Sequence, residues 1–306
     1  MRKGIIILIG IALVAGVIAT GTYGLSKEDL AICQQAAAIE EGDSNLGFEG
    51  FSLTDYPVAF YDGDRDYVIT WEEDGYSVKR RKAAVNFIVA TAYPVDDHYE
   101  VLTPTIKKMS SLLGMMSAGG MEYGTEEHIA TIWHEAFHCY QLTHFPENIE
   151  AICQDEIDEN IIAGEIDTDP QAVALFRQQA QLLEDAVKTG DVDKIHECIV
   201  KYRELDEERN LLLSPKAAAL EDYYTRVGGT ARYIEACIYK KLLPGQFDSN
   251  YLDGISEYSG GSAKYYAMGM AQCMILDKLN PGWKDGFDFS EPVIQKIYAE
   301  VFPMDS

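Results

Sequence analysis

The chain has 306 residues, 47% of them hydrophobic, which is enough apolar material for one large domain or two small ones and too much for bulk disorder. Acidic residues outnumber basic ones 50 to 25, a formal net charge of −25 at pH 7. Such a chain is repelled by phosphate backbones and anionic lipid, so nucleic acid is set aside as a partner; the charge suits a cationic ligand or simply a solvated acidic surface.

Arg2 and Lys3 precede an uncharged run from Gly4 to Leu25, almost all aliphatic or glycine as far as Ala19. Such a run is a secretory signal or a single spanning helix. Ala19-Thr20-Gly21 is a weak cleavage motif and no cysteine follows closely to carry a lipid, which favours an uncleaved anchor. Either way, the basic flank places the remainder outside the cytoplasm, membrane-anchored through this segment alone or secreted.

Residues 26–45 read as a short helix with Ser26 as its cap. Between residues 56 and 103, runs rich in aromatic and β-branched residues alternate with Asp62-Gly63-Asp64, Glu73-Asp74-Gly75 and Pro94-Val95-Asp96-Asp97. This is the pattern of a small, largely antiparallel sheet built from hairpins, the run from Val85 to Ala92 fitting a strand or a helix. The basic cluster Lys79-Arg80-Arg81-Lys82 reads as a strand-end surface patch.

Beyond residue 105 the chain reads as helix almost throughout. Helices fit Lys107 to Met116, residues 125 to about 144 with Thr125 as cap, Pro170 to Lys188, Val192 to about Leu213, Pro215 to the residue before Pro244, Ala263 to Leu279 and Pro292 to Val301. Gly228-Gly229 interrupts the Pro215 helix or packs it closely against a neighbour. Residues 150–213 carry 17 acidic and 6 basic side chains and read as an acidic helical insertion, a lid or a plain addition. Strands first and helices afterwards make an α+β domain dominated by helices. Of the six cysteines none forms a CxxC pair, which argues against a cysteine-only zinc knuckle, while three disulfides and buried thiols both remain open.

His134-Glu135-Ala136-Phe137-His138 is an HExxH sequence. On a helix its four-residue spacing puts both imidazoles on one face, one turn apart, where they can share a zinc ion. Glu135 lies about 100° round the helix, placed to take a proton from a water at the metal and hand it to a leaving amine. A third protein ligand is expected. His144 has the spacing of a third histidine, but Gln141 stands where the chain needs a glycine to turn sharply, so the helix should run on and carry His144 away.

HEAFHCYQ, taken with the later segment Gly228-Gly229-Thr230-Ala231-Arg232-Tyr233-Ile234-Glu235, resembles the gluzincin-like zinc metallopeptidases, in which HExxH is followed by an EGxAxYxE helix. The resemblance covers roughly residues 125–145 and 217–284. It implies a zincin-like fold, a small sheet beside the HExxH helix with a helical lobe, within a single domain spanning 26–306. It also implies Zn2+ as cofactor and a peptide or protein substrate. The family places its third ligand, a Glu, where this chain has Gly228. Glu221 and Glu235, each seven residues away on the same helical side, are the alternative carboxylate ligands. Tyr266, in Tyr265-Tyr266-Ala267-Met268-Gly269, resembles the tyrosine that donates a hydrogen bond to the oxyanion in gluzincin aminopeptidases. Gly119-Gly120-Met121-Glu122 is similar to an exopeptidase loop but stands too close to His134, and reads as a turn. The missing ligand leaves a second reading open: a catalytically degenerate zincin-like protein serving a binding or structural role at the membrane.

Overall fold

A computed structural model describes residues 25–40, 44–73, 75–85, 90–116, 123–152 and 157–303. The amino-terminal run before residue 25, the Gly119-Gly120-Met121-Glu122 stretch and Cys153 lie outside these residues. Among the described residues no helix is long and apolar enough to cross a membrane. The fold is α+β, and the chain divides into two compact units, Met1–Leu46 with Gly50–His144, and Gly47–Glu49 with Phe145–Ser306.

The first unit opens on helix α1 (Lys27–Glu40). Ser26 Oγ accepts from the Asp29 backbone N–H at 3.0 Å while its own hydroxyl donates to Asp29 Oδ2 at 2.7 Å, satisfying a helix-start donor that would otherwise lack a partner. Five strands follow: β1 (Val58–Tyr61), β2 (Arg65–Glu72), β3 (Gly75–Lys82), β4 (Thr91–Val95) and β5 (His98–Pro104). Their order is β3-β2-β1-β5-β4. Three neighbouring pairs are antiparallel, and β1 and β5 are parallel. The sheet is therefore mixed, because the β4–β5 hairpin joins the β1–β2–β3 meander along the open side of β1. In the turn after β1, Asp62 Oδ1 accepts from the backbone N–H of Asp64 and Arg65, both at 2.9 Å, a local bond that favours the hairpin. Of the apolar run from Val85 to Ala92, Thr91 and Ala92 belong to strand β4; residues 86–89 lie outside the described residues.

Alternation along β1 gives the sheet two different faces. Ala59, Tyr61 and Leu102 form one, covered by the segment Ala83, Ala84 and Val85. On that face the expected surface patch is partly drawn inward. Arg81 Nε donates to Asp66 at 3.0 Å and its two Nη atoms donate to Glu100, both carboxylates being buried, whereas Lys79, Arg80 and Lys82 stay exposed.

The other face carries Phe60 and Thr103 and receives helix α3 (Thr125–His144), which follows α2 (Ile106–Met116). Gly124, not Thr125, is the residue just outside α3: its carbonyl accepts from the His128 N–H and its own N–H donates to Glu127 Oε2 at 2.9 Å. The helix is buried over most of its length. Phe51 meets Trp133 and Phe137 edge-on, and Trp133 Nε1 donates to the Ala36 carbonyl of α1 at 3.2 Å.

The second unit is helical among its described residues: α4 (Pro146–Ile152), α5 (Pro170–Lys188), α6 (Val192–Asn210), α7 (Pro215–Tyr223), α8 (Gly229–Leu242), α9 (Ala263–Leu279) and α10 (Val293–Val301). Asp169, Asp191 and Ser214 cap α5, α6 and α7, which begin at Pro170, Val192 and Pro215 as their sequences predict. Helix α9 packs against α5, α6, α8 and α10 and forms the centre of the unit. The acidic segment supplies α5 and α6, and α5 buries Leu175, Phe176 and Leu183. Cys33, Cys139, Cys198, Cys237 and Cys273 are free thiols.

His128, on α3, is fully buried, stacked on Phe60, with Nε2 3.5 Å from Thr103 Oγ1 and no hydrogen-bond partner at Nδ1. Burial pushes its pKa from 6.5 down to about 3. The unfolded chain takes up a proton between these values that the fold refuses. Stability is therefore fully present above the unfolded value and is lost as pH falls through the window, by about 1.4 kcal/mol per unit. Urea unfolding at pH 7 and pH 5 should show His128→Gln losing about 2 kcal/mol less than the parent chain over that interval; equal losses would contradict the assignment.

Candidate metal centre

The HExxH residues lie in the middle of α3, where the helix is packed on the sheet and on α1 and its backbone is fixed. His134, Glu135 and His138 are all buried. The two imidazoles converge: their Nε2 atoms are 3.1 Å apart, with ring centroids 4.8 Å apart and planes at 71°. Two nitrogens each about 2.0–2.1 Å from a tetrahedral zinc lie roughly 3.3 Å apart, so the observed separation is that of a pair able to hold one ion. It is also that of an N–H···N hydrogen bond. The other nitrogen of His138, Nδ1, lies 2.6 Å from Gln141 Oε1, and Gln141 is itself fully buried.

His144 occupies the last turn of α3, exposed, with its ring centroid 4.9 Å from that of Tyr140. The helix continues through Gln141, as the lack of a glycine there predicts.

In the second unit both carboxylate candidates are engaged. Arg209 donates to both oxygens of Glu221, at 2.6 Å through Nη1, and the Tyr265 hydroxyl donates to Oε1 at 2.7 Å. Arg209 and Glu221 are buried, so freeing Glu221 would strand a guanidinium without its counter-charge, a loss of about 3–5 kcal/mol. Glu235 Oε1 accepts from Arg232 and, at 3.0 Å, from the Tyr251 hydroxyl. Tyr266, half-buried on α9, packs its ring 5.8 Å from that of Tyr224.

Gly228 has a packing reason of its own. It ends a π-helical turn, Tyr224–Gly228, joining α7 to α8, and a Cβ there would run into the Tyr266 ring, 3.0 Å from Cζ. One residue on, a Cβ at Gly229 would sit 2.5 Å from the Gly269 Cα. The sequence shows a glycine pair; the structure shows helices α8 and α9 crossing there with no room for side chains. Among the described residues, no group of three or more His, Cys, Asp or Glu side chains is arranged to hold a metal ion. Comparison with protein-family models, with curated proteins and with solved structures finds no match.

Sequence reasoning missed two partners. From the sequence Gln141 reads only as a non-glycine, although its three-residue offset from His138 puts the two on adjacent turns of one face. Arg209 lies 12 residues before Glu221, and no local spacing links them.

The helix crossing is directly testable. A Cβ at Gly269 would meet the Gly229 Cα at 2.7 Å and overlap the Thr225 carbonyl, backbone that cannot yield as a side chain would. Gly269→Ala is expected to lower stability by about 3 kcal/mol in denaturant titration, while Gly245→Ala, with nothing within 4 Å, stays close to neutral.

Proposed function

We propose that this chain is a zinc-dependent hydrolase, a metallopeptidase that acts outside the cytoplasm, with His134 and His138 as metal ligands and Glu135 as general base. The observation that carries the reading is the convergence of two buried Nε2 atoms to 3.1 Å, one turn apart, beside a buried carboxylate. Zinc, when bound, supplies a Lewis acid that brings the acidity of water into the neutral range. His134 and His138 hold the ion from one rigid face. Glu135, on the next residue round the helix, takes a proton from water and delivers it to the leaving amine of a cleaved peptide. Both histidines are buried, and Gln141 Oε1 at 2.6 Å from His138 Nδ1 holds one of the two rings in place.

Peptide as the substrate class, the role of Tyr266 as an oxyanion donor and a carboxylate as third ligand all rest on the resemblance to gluzincin-like enzymes. The uncharged run behind Arg2 and Lys3 would carry the protein to, or hold it at, the outer side of a membrane.

A non-catalytic zincin-like protein is the second reading, favoured by the want of any three-ligand group among the described residues. Elemental analysis and a peptide-cleavage assay on the purified chain separate the two. The enzyme reading expects about one zinc per chain, and Glu135→Gln keeping the metal while losing roughly 100-fold or more in turnover. Tight zinc with no cleavage by the parent chain supports the non-catalytic reading, and a chain that takes up no zinc contradicts the metal site itself.

A further inference from the structure

The two histidines are not equivalent, and the difference comes from Gln141. Its Oε1 lies 2.6 Å from His138 Nδ1, inside a fully buried part of α3. An amide oxygen only accepts, so this contact requires the His138 proton to sit on Nδ1. The His138 Nε2 lone pair is then directed at His134 Nε2, 3.1 Å away. Two lone pairs at that distance repel, so a proton or a cation must lie between them. In the metal-free chain His134 supplies that proton from Nε2. A divalent cation replaces it, and His134 must then move its proton away from Nε2, whereas His138 needs no change.

We infer that Gln141 is a positioning residue that holds His138 in the Nδ1–H form and so presets its Nε2 to ligate a divalent cation without a change of tautomer. The inference rests on the metal-binding reading above only for its consequence; the tautomer is a property of the metal-free chain. Residues that accept a hydrogen bond from the far nitrogen of a metal-binding histidine commonly alter metal affinity by about 10- to 100-fold.

The test is long-range 1H–15N NMR of the histidine rings in the metal-free full-length chain, followed by zinc titration of the same samples. The parent chain should show His138 protonated on Nδ1 and His134 on Nε2, and zinc should convert His134 to the Nδ1–H form while His138 keeps its pattern. Gln141→Leu removes the acceptor: His138 should lose its fixed Nδ1–H signature and zinc should bind about 10- to 100-fold more weakly. Gln141→Glu restores an acceptor and should restore both readouts, which a loss of packing alone would not explain. The opposite amide orientation would donate to Nδ1 and place the His138 proton on Nε2. Finding that tautomer in the parent chain, or an unchanged His138 tautomer in Gln141→Leu, overturns the inference. If the parent chain binds no zinc, the hydrolase reading fails while the tautomer comparison still decides the role of Gln141.

Discussion

Two imidazole nitrogens held 3.1 Å apart inside a buried helix are the constraint on which the functional account depends. At that separation the pair can share one proton or one cation. The four-residue spacing dictates the approach, since side chains at i and i+4 lie one above the other. What the spacing alone does not dictate is that both rings choose rotamers pointing at each other. The contact that orients one of them is to Gln141, whose Oε1 lies 2.6 Å from His138 Nδ1.

The remainder of the first unit keeps α3 still. Its sheet-facing side carries His128 against Phe60 and Thr103, and its other flank is tied to α1 by the Trp133 indole. Asp29 reaches from the first turn of α1 to the Ile106 N–H at 2.8 Å and so fixes the start of α2 behind β5. A site built on such an element has the rigidity that metal ligation and proton transfer both require.

Much of the fold was legible because it is written in local chemistry. Pro170 and Pro215 announce helix starts, and the hairpin turns announce the strands. The parallel pairing of β1 with β5 was not legible, since it joins residues more than 40 positions apart and no turn encodes it. Arg81 read as surface charge because its partners, Asp66 and Glu100, lie on other strands. The histidine pair was readable from its spacing. The engagement of Glu221 with Arg209 and Tyr265 was not, being a tertiary contact; close packing at Gly228-Gly229 was one of two readings of the glycine pair, but its partners Tyr266 and Gly269 were not legible.

The central claim is that His134 and His138 grip one ion together. X-ray absorption at the zinc edge on the zinc-loaded full-length chain tests it most directly. The account predicts two imidazole nitrogens at about 2.0–2.1 Å, with oxygen completing the shell. A first shell containing fewer than two imidazoles, or one dominated by sulfur, would contradict it.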